Sequence, residues 1–312
     1  MTLLIIEKTV EMLLLICMGI LVYKIGILDD HTASRLSPLL LTLVQPLVII
    51  TSYQKEFQIQ LLYGLLLTLL ASALSYLITI TASHFILAGR QPDRTIEKLM
   101  AVYSNCGFFS LPLIDSILGS DGVFYLTMYI TMFNLLFWTH GVSLITGSEE
   151  RLCWKAILRK NLSPVNISIF IGILFFVCHI RLPEVLLSPF QMVASMNTPL
   201  AMLIAGVNLA KSGILNCFTK KRIYLICLLR LLLFPAATIL ILLGLNSIVN
   251  LSFPVSYTVF MASAAPSGAS TIMLADKYNK NAAYATQIFV ATTVLCSVSI
   301  PILSALAVSV LQ

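Results

Sequence analysis

Charge is what this 312-residue chain has least of. Thirteen acidic and nineteen basic side chains make up 10% of it, against 59% hydrophobic residues and a mean hydropathy of +0.97. Soluble domains carry roughly 25% charged residues, so the composition excludes one here. The few charges fall in short clusters separated by apolar runs of about 20 residues, the length a helix needs to cross a bilayer. The expected class is an all-α polytopic membrane protein, with no soluble module attached.

Other absences narrow the function. No phosphate loop or nucleotide fingerprint occurs, which argues against an ATP-driven pump. His31, His84, His140 and His179 lie near loops or helix ends without metal-ligand spacing. The seven cysteines (17, 106, 153, 178, 217, 227 and 296) show no paired spacing and read as reduced packing residues. No cofactor or metal is therefore expected. The spans hold no evident carboxylate at their midplanes. Asp115 and Asp276 fall near opposite faces and read as helix-end or gate residues, so a coupling proton or sodium ion is not readable. No Ser/His pair or carboxylate pair sits at one depth, which leaves no basis for an enzyme. The basic residues are scattered through short loops rather than gathered on a folded face. Anionic lipid headgroups, not nucleic acid, are their expected partners.

Ten apolar segments follow one another, near residues 3–23, 37–53, 61–87, 98–118, 123–146, 164–180, 190–210, 222–244, 254–275 and 283–310. The first carries Glu7, Lys8 and Glu11 and lacks a small-residue cleavage site, so it is expected to stay as a helix. Fifteen Lys and Arg lie in the gaps after segments 1, 3, 5, 7 and 9, and three on the other side (Lys8, Lys55 and Arg181). Arg230 lies inside segment 8. Cytoplasmic loops carry the basic excess, which places both termini outside a plasma or inner cell membrane.

Five segments (1–146) precede the cytoplasmic linker 147–162 and five (163–312) follow it. Because five is odd, a repeat of the first half enters the membrane from the other side. Matching features occur in the same order: Gln45-Pro46 against Asn197-Thr198-Pro199, and two segments broken near their middles. The first break is Ser104-Asn105-Cys106-Gly107, followed by Leu111-Pro112. The second is Ala264-Ala265-Pro266-Ser267-Gly268. Lipid cannot satisfy backbone freed from a helix, and paired breaks in two halves point to a transporter's binding site. Gly107 weakens helix by about 1 kcal/mol relative to Ala. Pro266 does so by about 3 kcal/mol and favours a restart.

With this topology, both restarted half-helices have their N-termini near the midplane. Each N-terminus carries roughly +0.5 of an elementary charge and unpaired N–H donors. Two such ends make an anion site without a buried cation. The expected substrate-binding residues are Asn105, Cys106, Gly107, Pro266, Ser267 and Gly268, with Gln45 and Arg230 as further polar candidates. Arg230, roughly 12 Å into its helix, is read chiefly as holding carbonyls or a helix end, with substrate contact as the alternative. Gln45, Asn134, Asn208 and Gln287 suit helix-to-helix hydrogen bonds.

The stretches LLLTLVQPLVIITS, SNCGFFSLPLIDSILGSDG, YITMFNLLFWTHG, PLAMLIAGVNLA, LLRLLLFP and APSGASTIMLADKYN resemble the auxin efflux carrier family, in family order over nearly the whole chain. The resemblance extends to its bacterial malate- and malonate-permease-like members. It implies ten helices in two inverted five-helix repeats, akin to bile-acid and sodium–proton transporters, with helices 4 and 9 crossing at their breaks. It also implies an elevator-like carrier of small organic anions. Asn105 matches the family's carboxylate-side asparagine, Pro266 its crossover proline, and Ser267 the next position. Ser104 replaces a proline of the plant carriers, helix 3 lacks their acidic residue and lysine, and their long loop is absent. These departures favour a microbial metabolite carrier over an auxin carrier. A non-transporting sensor on the same fold is the alternative. The oligomer is not readable, a homodimer being one candidate.

Overall fold

The computed structural model describes residues 2–89, 92–147, 162–211 and 220–311. Most of the expected linker, with Arg151, Lys155, Arg159 and Lys160, lies outside these residues, as do Arg90, Cys153 and Cys217.

The described chain is helical. The helices are α1 (Thr2–Lys24), α2 (Asp30–Leu39), α3 (Gln45–Ser52), α4 (Ile59–Ile86), α5 (Arg94–Val102), α6 (Leu111–Leu136) and α7 (Val142–Thr146). After the linker come α8 (Pro164–Val177), α9 (Glu184–Ala194), α10 (Asn197–Lys211), α11 (Lys221–Leu228), α12 (Phe234–Asn246), α13 (Phe253–Ala264), α14 (Ala269–Lys277) and α15 (Ala282–Leu311). Among the described residues six continuous, in places kinked, helical runs are long and apolar enough to cross a membrane. They are Arg35–Ser52, Ile59–Ile86, Cys106–Thr146, Glu184–Ala210, Lys221–Asn246 and Ala282–Leu311. The protein is thus an all-α polytopic membrane protein. The segments expected near 98–118 and 254–275 are cut into pieces by their breaks, with α5, α13 and α14 spanning only 9, 12 and 9 residues.

Among the described residues four wide π turns interrupt the helices, at Leu40–Val44, Cys106–Ser110, Phe137–Gly141 and Leu229–Leu233. Three of them end two residues before a proline: Pro46, Pro112 and Pro235. A proline ring clashes with the carbonyl four residues back and offers it no N–H. Those carbonyls belong to Thr42, Phe108 and Leu231, each inside a wide turn that makes room for the ring. The fourth turn has another cause. Tyr103 donates its hydroxyl to the Leu136 carbonyl at 2.9 Å and lies 2.9 Å from His140 Nδ1, so a side chain enters the helical ladder there. Gly119, at φ 59° and ψ −150°, separates two helical stretches within α6. Only glycine takes such a conformation without strain.

The helices pack as two groups. In one, α1 lies along α10, and α3 packs on α8 and α9. In the other, α4, α6 and α13 pack together, with α11, α12, α14 and α15 around them. The seam between the groups runs where α1 meets α6 and α15, and where α3 and α10 meet α6.

Candidate functional site

The two breaks meet. Ser104 and Ser267 form an isolated antiparallel bridge. Around it the Asn105 N–H donates to the Pro266 carbonyl, and the Gly268 N–H donates to the Tyr103 carbonyl, both at 2.8 Å. Backbone that would be orphaned in lipid is satisfied by the other break. Gly268 eases this approach, because a Cβ there would lie 3.2 Å from the carbonyl oxygens of both Tyr103 and Ser104 and would press on the crossing.

Four helix ends surround the crossing. The C-termini of α5 and α13 come from one side, and Arg230 holds both. Its Nε donates to Ala265 O at 2.8 Å, its Nη1 to Ala101 O at 3.2 Å and Val102 O at 3.1 Å, and its Nη2 to Ser263 O. The guanidinium is buried, and its fork of donors and positive charge meet carbonyls at the negative ends of two helix dipoles. On the other side begin the Cys106–Ser110 turn and α14. The first amides of each, at Cys106, Gly107 and Phe108 and at Ala269 and Ser270, precede any helical acceptor.

A cavity of about 600 Å³ opens on that second side. Asn105 lines it, with Phe108 and Phe109 from the same break, Ala269 and Ile272 from α14, and Asn208 from α10. Ser37, Met202, Thr286 and Phe289 add to its walls. None of its lining residues is charged. The cavity therefore lies on the seam between the two helix groups, at the N-terminal ends of the restarted helices.

The expected site residues divide around this arrangement. Asn105 lines the cavity, and no other described residue hydrogen-bonds its side-chain amide. Gly107 and Cys106 turn their amides to the Cys106 thiol, and the Gly107 carbonyl accepts from Gln45 Nε2 at 2.7 Å. Gln45 is thus buried behind the break. Ser267 is fully buried: its hydroxyl donates to Met100 O at 2.7 Å and its N–H to Thr292 Oγ1 at 3.2 Å. Pro266 and Gly268 form the crossing itself. Cys106 is buried beside Ser104, Tyr76, Tyr129 and Arg230, on the far side from the cavity. Arg230 is engaged as described. The aromatic walls Phe108, Phe109 and Phe289 carried no signal in the sequence beyond their hydrophobicity. Asn134 meets Asn166 Oδ1 across helices at 2.7 Å.

Among the described residues no group of three His, Cys, Asp or Glu could hold a metal ion. The five described cysteines, Cys17, Cys106, Cys178, Cys227 and Cys296, are free thiols.

The model of a family described as membrane transport protein matches residues 4–154 and 150–304. No curated protein matches the chain. The chain belongs to that family, which is the auxin efflux carrier family that its motifs resemble. Secondary transport across a membrane is the family's general function, and the multi-spanning architecture accords with it.

Proposed function

We propose that this family member is a secondary carrier of small organic anions whose carboxylate docks at the crossing of the two broken helices. One observation carries the reading: the two restarted helices begin beside one uncharged cavity that the Asn105 side chain also lines. That arrangement favours a negative group without a lysine or arginine in the cavity. The residues proposed to bind are Asn105 and the α14 amides after Gly268, while the Cys106 and Gly107 amides are turned to the Cys106 thiol. Pro266, Ser267, Gln45 and Arg230 hold the crossing in shape. Malate, malonate and auxin-like acids are the substrate classes to try first.

The reading includes ten crossings in two inverted repeats, with α5, the Cys106–Ser110 turn and the part of α6 before Gly119 as helix 4, and α13 and α14 as helix 9. In the orientation given by the basic loops, both termini are extracytoplasmic. The cavity is lined by Ser37, Asn208 and Thr286, near the basic-loop ends of their helices, so it opens toward the cytoplasm. The opposite end is latched across the seam. Tyr53 Oη lies 2.6 Å from Thr127 Oγ1, and Lys55 pairs with Asp121. An elevator-like slide of the α4–α6 and α11–α15 group against the other group would move the site between the two faces.

Uptake of labelled dicarboxylates and aromatic monocarboxylates into proteoliposomes tests the function. Saturable uptake that Asn105→Ala weakens is expected. Capture of a ligand without flux would favour the sensor reading, and binding of cationic ligands alone would overturn the anion site.

A further inference from the structure

A second cavity, of about 200 Å³, lies on the same seam toward the latched end. It is lined by α3 (Val48, Thr51 and Ser52), α6 (Asp115, Ser120 and Val123) and α9 (Gln191, Ala194 and Ser195). Asp115 is partly buried there, and among the described residues no hydrogen bond or ion pair reaches its carboxylate. The nearby cation Lys55 is engaged by Asp121.

Three of the other polar groups, Thr51, Ser52 and Ser195, have their hydrogens committed elsewhere, while Ser120 and Gln191 complete the polar lining. Thr51 donates to Leu47 O at 2.8 Å, Ser52 to Ile49 O at 2.7 Å and Ser195 to Met192 O at 2.7 Å. Their remaining capacity is lone pairs. The carbonyl of Ser195 has no helical donor, because the residue four positions on is Pro199. The negative end of α9 also finishes at this cavity. Asn197, two residues further, is fully buried with neither side-chain polar atom hydrogen-bonded. Its neighbour Thr198 reaches Pro112 O, one turn before Asp115, at 3.4 Å.

We propose that this cavity is a sodium-binding site in which the Asp115 carboxylate, the hydroxyl oxygens of Ser52, Thr51 and Ser195, and the Ser195 carbonyl hold the ion across the seam. The oxygen acceptors gathered around one carboxylate, with the Gln191 amide oxygen as a further acceptor, suit a small cation. At roughly 30 Å³ per water, the volume accommodates an ion that keeps several of its waters. The ligands come from both helix groups. Occupancy therefore ties α3 and α9 to α6 and favours the arrangement with this end closed.

The test is thermal unfolding of the purified full-length protein without substrate, titrated with sodium chloride at constant ionic strength against N-methylglucamine chloride. A saturable rise in apparent Tm specific to sodium is expected. Asp115→Asn should raise the half-saturating sodium concentration roughly tenfold or more, while Asp276→Asn leaves it unchanged. Acid pH should weaken sodium binding, since protons compete for the carboxylate. If Asp115→Asn does not yield folded protein, Ser52→Ala and direct binding of radioactive sodium to the unaltered protein decide instead. Equal Tm in the two salts, sodium binding unaffected by Asp115→Asn, or stabilisation by acid with no sodium effect would each overturn the site. The readout contains no organic anion, so it stands or falls separately from the carrier reading.

Discussion

The Asn105 N–H and the Pro266 carbonyl meet at 2.8 Å, although 161 residues separate them in the chain. That bond and its partner from Gly268 to Tyr103 let two helices be broken inside a membrane protein without leaving their backbone unpaired. They also fix the geometry of function. Because the strands cross antiparallel, the two C-termini gather on one side, at Arg230, and the two N-termini on the other, at the cavity. The positive charge thus holds the crossing together, and the cavity keeps only the partial charge of the amides.

Asn105 and Ser267 should separate binding from folding. Asn105 presents an unengaged amide to the cavity, and a hydrogen bond to a charged group contributes about 1.5–3 kcal/mol. Asn105→Ala is expected to raise the apparent KM for the transported anion by about tenfold or more, with Tm unchanged. Ser267 gives its hydroxyl to Met100 O. Ser267→Ala is expected to lower stability by about 1 kcal/mol with a smaller change in KM. Uptake kinetics and thermal unfolding of both variants check the contrast.

Arg230 should resist even conservative replacement. Arg230→Gln leaves carbonyls of Ala101, Val102, Ser263 and Ala265 short of donors at two buried helix ends. A loss of about 3 kcal/mol or more is expected, by analogy with breaking a buried charged pair. Arg230→Lys keeps the charge but offers three donors from one point instead of a planar fork. It should recover only part of the stability. Yield of monodisperse protein and Tm in detergent measure both, and a lysine variant as stable as the parent would refute the forked arrangement.

How much of this could be read beforehand depended on the residue. Pro266 and Gly107 announced the breaks because each acts on its own backbone, with no partner needed. The prolines at 46, 112 and 235 also mark the π turns, once their clash with the preceding turn is considered. Which way Ser267 and Cys106 face was not legible, since a break has no helical period to carry direction. The depth of Arg230 in its helix points to a holder of carbonyls, yet not to which four, because its partners lie at least 33 residues away. The cavity walls were hidden for another reason: Phe108, Phe109 and Phe289 look in sequence like any apolar residue of a span.

The latch at the closed end should bias the conformational balance. Tyr53 Oη and Thr127 Oγ1 lie 2.6 Å apart across the seam, and Thr127 also donates to Phe124 O. Tyr53→Phe removes one buried bond, about 1 kcal/mol, and shifts the closed-to-open ratio at this end about fivefold. Val123→Cys in a cysteine-free background reports it, because Val123 lines the cavity there and is buried while this end is closed. Labelling by a membrane-impermeant maleimide should speed up severalfold when Tyr53→Phe is added. An unchanged rate would mean that the bond serves packing alone.

Gly206 and Gly244 offer a last contrast, in which the same substitution has opposite effects. A Cβ on Gly206 would sit 2.2 Å from the Ile16 carbonyl oxygen, and one on Gly19 would sit 2.4 Å from the Leu203 carbonyl oxygen. α1 and α10 therefore touch through backbone, and neither neighbour is a side chain that can swing away. Small residues allow such close approach of helices in a membrane. Gly206→Ala must push the helices apart, and a loss of about 1–3 kcal/mol is expected. Gly244 is exposed on α12, and a Cβ there meets nothing within 4 Å. With no contact to lose, Gly244→Ala gains helix propensity of up to about 1 kcal/mol. Thermal unfolding of the two variants in one detergent should move Tm in opposite directions. A Gly206→Ala protein as stable as the parent would show that α1 and α10 do not pack this closely.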